Sequence, residues 1–103
     1  MASNMRLTRP ALKILKLFLE RPTERNSGAE ISRALGISSG TMYPLLARFE
    51  NAGWLTSEWE AVDPAEAGRP RRRFYKLTAL GQNSAAKELA DLQAAPGALV
   101  WNS

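Results

Sequence analysis

Between Arg9 and Arg21 the apolar residues Ala11, Leu12, Ile14, Leu15, Leu17, Phe18 and Leu19 recur at helical spacing. They form a stripe too wide for one exposed helix. The spacing predicts a first helix that is largely buried, by a partner as well as by its own domain. Thr8 can cap it, Pro10 is tolerated in its first turn, and Pro22 ends it. Ser27 and Glu30 then stand in capping-box spacing, opening a short second helix with Ile31, Ala34 and Leu35 as its buried face. Gly36 sits where a left-handed residue would close that helix. Ile37 tucks in behind it, and Ser38 or Ser39 can cap a third helix reaching about Ala52, with Gly53 as its stop.

The character of the chain then changes. Residues 54–62 and 71–78 are rich in strand formers, and the segment between them carries Asp63, Pro64, Gly68 and Pro70. Two such runs joined by a Gly/Pro loop predict a hairpin. Thr78 can cap a last helix running to about Ala95, broken by Pro96-Gly97. The predicted order is helix, helix, helix, hairpin, helix: a mainly α fold with a small β-hairpin wing, that is, a winged helix-turn-helix. Residues 1–78 form the expected winged domain, and 79–103 a dimerisation helix with a short apolar tail.

One residue tests the placement of the third helix. Pro44 lies inside its apolar series, where a proline loses a backbone bond and clashes with the carbonyl four residues earlier, at about 3 kcal/mol. A helix starting at Pro44 would leave a connection of about eight residues from Gly36, far longer than the three or four of a helix-turn-helix. Met42 would also leave the apolar series. Pro44 therefore belongs in the second turn. At about 100° per residue, Met42, Leu46 and Phe49 face inward, while Gly40, Pro44, Ala47, Arg48 and Asn51 face outward. The carbonyl stranded by the proline is that of Gly40, also outward, where water can hydrate it.

That outward face is smooth and hydroxylated. Gly40 and Pro44 offer little bulk. Ser38, Ser39, Thr41 and Tyr43 supply hydroxyls near the amides of the helix start, a favourable place for phosphate. Hydroxyls can also read base edges, and Pro44 or Ala47 could meet a thymine methyl. Ser38 can serve as cap or as contact; DNA contact is the preferred reading for Thr41 and Tyr43.

Charge sharpens the picture. The net charge is +4, and Arg69, Arg71, Arg72 and Arg73 lie within five residues beside Gly68 and Pro70. Such a run can be a solvated loop; at the tip of a wing it suits a groove whose negative potential favours arginine. The chain has no cysteine and no histidine. That removes disulfides, thiolate nucleophiles, histidine acid–base catalysis and nearly every zinc site. No enzyme, metal or cofactor is expected. No apolar run approaches a membrane span, so cytoplasmic residence without membrane attachment is the default expectation.

The stretches "SSGTMYPLLARFENAGWLTSEWE" and "GRPRRRFYKLTALG", in this order and with wing spacing, resemble the PadR family of bacterial transcription regulators over about residues 8–95. The resemblance implies a winged-helix dimer that binds operator DNA, usually to repress, and often releases it on meeting an effector. Carried onto this sequence, it implies recognition-helix contacts by Ser39, Gly40, Thr41, Tyr43 and Pro44. It implies wing contacts by Gly68, Arg69 and Pro70, with Arg71, Arg72 and Arg73 beside them. Arg48 joins the set from the outward face of the helix.

For the dimer, Ala85, Leu89 and Leu92 make a narrow apolar stripe on the last helix, too thin to define a core alone. With Leu12, Leu15 and Phe18 of the over-apolar first helix, and Trp101 of the tail, they are the expected interface. This agrees with the family's use of its terminal helices. Leu99, Val100 and Trp101 would cover the dimer seam or line a flat site for a small aromatic effector. The partners expected are thus a second copy, two-fold symmetric double-stranded operator DNA, and such an effector. The alternative is a winged helix used for protein contacts without DNA.

Overall fold

The computed structural model describes residues 7–94. Helix α1 (Arg9–Glu20) begins on the Thr8 hydroxyl, which accepts from the Ala11 amide. A three-residue strand, β1 (Arg25–Ser27), leads into α2 (Gly28–Leu35). There both halves of the capping box form: Ser27 Oγ accepts from the Glu30 amide at 3.1 Å, and Glu30 Oε1 from the Ser27 amide at 2.8 Å. Gly36 closes α2 with φ at 67°, the left-handed region where a side chain is strained. Ser32 donates across the turn to the Ile37 carbonyl at 2.7 Å. The chain therefore re-enters a helix at once, and α3 (Ser39–Asn51) runs straight through Pro44.

Strands β2 (Leu55–Trp59) and β3 (Arg73–Leu77) follow, with a one-turn helix, α4 (Pro64–Ala67), between them, and α5 (Ala79–Ala94) completes the described chain. The fold is mainly helical with a three-stranded antiparallel sheet in the order β1-β3-β2. In register, Arg25 faces Lys76, which faces Thr56, and Trp59 faces Arg73. Among the described residues no helix is long and apolar enough to cross a membrane.

The core gathers Ile14, Leu15 and Phe18 of α1, Ile31, Ile37, Met42, Leu46 and Phe49 of the helix-turn-helix, Trp54, and Leu55, Tyr75 and Leu77 of the sheet. Trp54 stacks on Phe49 with ring centroids 5.7 Å apart and planes 12° apart. It is thus the inward tryptophan, while Trp59 is 58% exposed. The N-terminus of α5 is fixed at one point. Thr78 Oγ1 accepts from the Gly81 amide at 2.9 Å and donates to the Gly53 carbonyl at 2.6 Å. The Thr78 amide bonds the Trp54 carbonyl at 3.0 Å.

Several expectations need correction. Residues 25–27, for which the sequence predicts no element, are a strand. They carry no alternating apolar pattern, and the strand exists because the free edge of β3 offers them a ladder. The hairpin strands are shorter than the runs 54–62 and 71–78, and its turn-rich connection folds into α4 on an Asp63 cap. Ala34 is exposed, not part of the inner face of α2. Of the residues expected at the dimer interface, Leu12, Leu15, Phe18 and Ala85 are buried within the single chain. Helices α2, α3 and α5 and strand β3 all pack around the α1 stripe. Trp101, with Leu99 and Val100, lies outside the described residues.

Candidate nucleic-acid interface

On α3, Met42, Leu45, Leu46 and Phe49 are buried. Ser39, Gly40, Thr41, Tyr43, Pro44, Ala47, Arg48 and Asn51 are exposed. The split between faces follows the helical period, so Pro44 and the Gly40 carbonyl it strands do look outward together. A Cβ placed on Gly40 meets nothing within 4 Å. The fold leaves that position open, and only something outside the chain could require its smallness. Ser38 occupies the N-cap position but makes no side-chain bond to the backbone of α3. Its hydroxyl reaches instead toward Thr41 Oγ1, at 3.4 Å. Both hydroxyls are therefore on the surface, at the amide-rich end of the helix.

Tyr43 is 46% exposed, yet its ring is not adrift. It lies across the first residue of α2, so close that a Cβ on Gly28 would stand 2.8 Å from ring carbons. Gly28 thereby provides the space that lets the tyrosine ring, its hydroxyl oxygen nearest of all, pack against the start of α2. Sequence reasoning passed over Gly28, because its role depends on a contact between two helices.

The wing is more ordered than a solvated arginine run. Glu60, just past β2, receives both guanidinium nitrogens of Arg69, at 2.7 and 2.9 Å. The same carboxylate accepts from the Arg72 amide at 3.1 Å, and the Glu60 amide donates to the Arg72 carbonyl at 2.8 Å. The Arg69 fork, and behind it the Arg72 amide, hold the Glu60 carboxyl down at about 2 against partial burial, which pushes the other way. It is therefore ionised throughout the neutral range. Arg71 donates from Nε to the Val62 carbonyl at 2.9 Å. Arg73 turns inward: its guanidinium lies 4.9 Å from the centre of the Trp59 ring and 3.7 Å from Glu50 Oε2 on α3. Glu50 also accepts from Ser57 Oγ at 2.6 Å, which ties the recognition helix to β2.

The arginine run thus divides by task. Arg71 and Arg72 are exposed, whereas Arg69 and Arg73 are half-buried in ion pairs within the chain. Gly68 is left-handed at the end of α4. Strand β3 begins only at Arg73, so Arg71 and Arg72 precede the ladder. Glu50 and Glu60 were missed. Glu60 could have been found, since it falls opposite Arg72 once the pairing of Trp59 with Arg73 is extended by one residue.

A short-turn pair of helices, a third strand closing the sheet and a wing carrying exposed arginines define the winged helix-turn-helix class. The sequence profile described as "Transcriptional regulator PadR-like family" matches residues 25–87. The chain belongs to that family, whose members are regulators of transcription and not enzymes. A PadR-like transcription factor from Bacteroides fragilis is 27% identical, with 81% of this chain and 79% of that one aligned at a TM-score of 0.66. A PadR family transcriptional regulator from Eggerthella lenta DSM 2243 is 25% identical, with 82% and 75% aligned at 0.65. A transcriptional regulator homologue from Pyrococcus horikoshii OT3, 20% identical with 82% and 76% aligned at 0.68, shares the fold. No match is found among curated proteins.

Proposed function

We propose that the chain is a homodimeric, sequence-specific operator-binding regulator that acts as a repressor. In this reading α3 enters the major groove through Ser39, Gly40, Thr41, Tyr43, Pro44 and Arg48. Ser38 lies at the phosphates, and Arg71 and Arg72 reach the minor groove or the backbone. The observation that carries it is the outer face of α3, where the fold itself makes no demand on Gly40 yet leaves a small, hydroxylated, amide-rich surface. A phosphate or base edge can approach such a surface closely. For the second copy, Leu89 and Leu92 on α5 and Leu17 and Leu19 on α1 are half-buried. With Leu80, 55% exposed at the start of α5, they are apolar groups of the terminal helices that a partner could still cover, with residues 79–103 as the dimerising segment.

In vitro selection of DNA sites by the purified protein tests this reading. A two-fold symmetric consensus is expected, its half-sites one helical turn apart or a multiple of that. Enrichment of no sequence would refute operator binding and favour a winged helix that meets proteins.

Pro44→Ala separates the two roles of α3. Restoring the amide and removing the ring should raise stability by ~1–3 kcal/mol. Operator affinity should fall by about tenfold, the scale of discrimination that one base-edge interaction supplies. Thermal melts and titration of the selected site check both signs. A variant less stable than the parent would assign Pro44 to the fold, and one that binds equally well would remove it from the interface.

A further inference from the structure

A carboxylate in a loop that faces phosphate is electrostatically adverse, and removing it should, by charge alone, tighten binding. Glu60 is such a group, and it is the best-connected side chain of the wing. It takes the guanidinium fork of Arg69 in the bidentate geometry that only arginine offers. It also joins β2 to the strand opposite by bonding Arg72 through both its side chain and its backbone. Its side chain is 16% exposed and that of Arg69 35%. The pair is therefore packed into the base of the wing rather than extended from it. Arg69 comes one residue after the Gly68 that closes α4, and Arg72 one residue before β3. The clamp thus spans the whole segment that presents Arg71 and Arg72.

We propose that Glu60 is a positioning residue for DNA binding: its carboxylate, held by Arg69, shapes the wing so that Arg71 and Arg72 project outward, and Arg69 itself does not contact DNA. The inference rests on the operator-binding reading above, and removal of a negative charge should weaken binding to a polyanion. The clamp also has consequences that need no DNA.

The test compares Glu60→Gln and Arg69→Lys in the full chain. Glu60→Gln raises the net charge from +4 to +5, yet should weaken binding to the selected site about tenfold, with a salt dependence no steeper than the parent's. Arg69→Lys keeps the charge but loses the fork and should show the same weakening. The double variant should be no weaker than either single one, since both break one clamp. Independently of DNA, hydrogen exchange at the Arg72 amide should quicken in Glu60→Gln while the amides of α1 and α3 stay protected. Tighter binding by Glu60→Gln with a steeper salt dependence would mean that the freed Arg69 contacts phosphate, and would overturn the proposal. Unchanged protection at Arg72 would overturn it whatever the DNA result. Failure of the parent to bind any selected site, with the exchange result as expected, would overturn the operator reading and leave the clamp as a structural device only.

Discussion

Gly81→Ala destabilises the chain by about 1–3 kcal/mol, the usual cost of forcing atoms into a packed site. The melting temperature should drop by roughly 4–8 °C for each of those kcal/mol in a domain of this size. The direction is opposite to helix propensity, which favours alanine over glycine by about 1 kcal/mol inside a helix. Packing decides the sign. A Cβ at Gly81 would stand 2.7 Å from the carbonyl carbon of Trp54 and 2.8 Å from its Cα, and closer still to its carbonyl oxygen. Those atoms are backbone, and they cannot swing aside. The Trp54 ring is stacked on Phe49, and its carbonyl accepts from the Thr78 amide. Either α5 lifts away from the turn after α3, or the Thr78 bonds that start α5 break. Gly40→Ala is the matched control, since its Cβ would enter open space, so it should be neutral or stabilising. Urea or thermal unfolding of the two variants checks the contrast. A Gly81→Ala protein as stable as its parent would show that α5 docks more loosely than the Trp54–Gly81 contact implies.

Gly81 also marks the limit of what the sequence discloses. Local chemistry was legible: the caps at Thr8, Ser27 and Thr78, the left-handed Gly36 and the passage of α3 through Pro44 all follow from residues within a turn or two. The inward face of α3 was legible because the apolar period and the turn length agree on one placement. Contacts between distant segments were not. Nothing near Gly81 announces that Trp54 lies against it, and nothing near Gly28 announces Tyr43. The edge strand at residues 25–27 has no pattern of its own and exists only because β3 has an open side. The partners of the arginine run were hidden for the same reason. Four like charges read as one basic tip, but Glu60 and Glu50 reach in from other elements to occupy Arg69 and Arg73. Helix α1 was legible as a buried element. Its wide stripe predicts burial, and the chain itself encloses Leu12, Leu15 and Phe18.

Replacing Arg71 and Arg72 together by alanine should weaken DNA binding on the order of 10²-fold near physiological salt, and almost equally for operator and unrelated sequences. The two residues are the exposed arginines of the wing, with Arg69 and Arg73 engaged by carboxylates of their own chain. In the proposed dimer the change removes two cations per protomer from the surface facing DNA. Every phosphate left without its arginine flattens the dependence of log affinity on log salt by about 0.9. The slope should therefore fall by roughly 2 to 4, according to how many of these arginines reach phosphate. Stability should hardly change, because exposed charges contribute at most a few tenths of a kcal/mol here, and the Arg71 bond to the Val62 carbonyl is itself exposed. The slope is the discriminating quantity. A large fall in affinity with an unchanged slope would mean that the arginines read base edges or hold the wing's shape, and the weakening would then be confined to the operator. Unaltered affinity would remove the wing from the interface and leave α3 to carry binding alone.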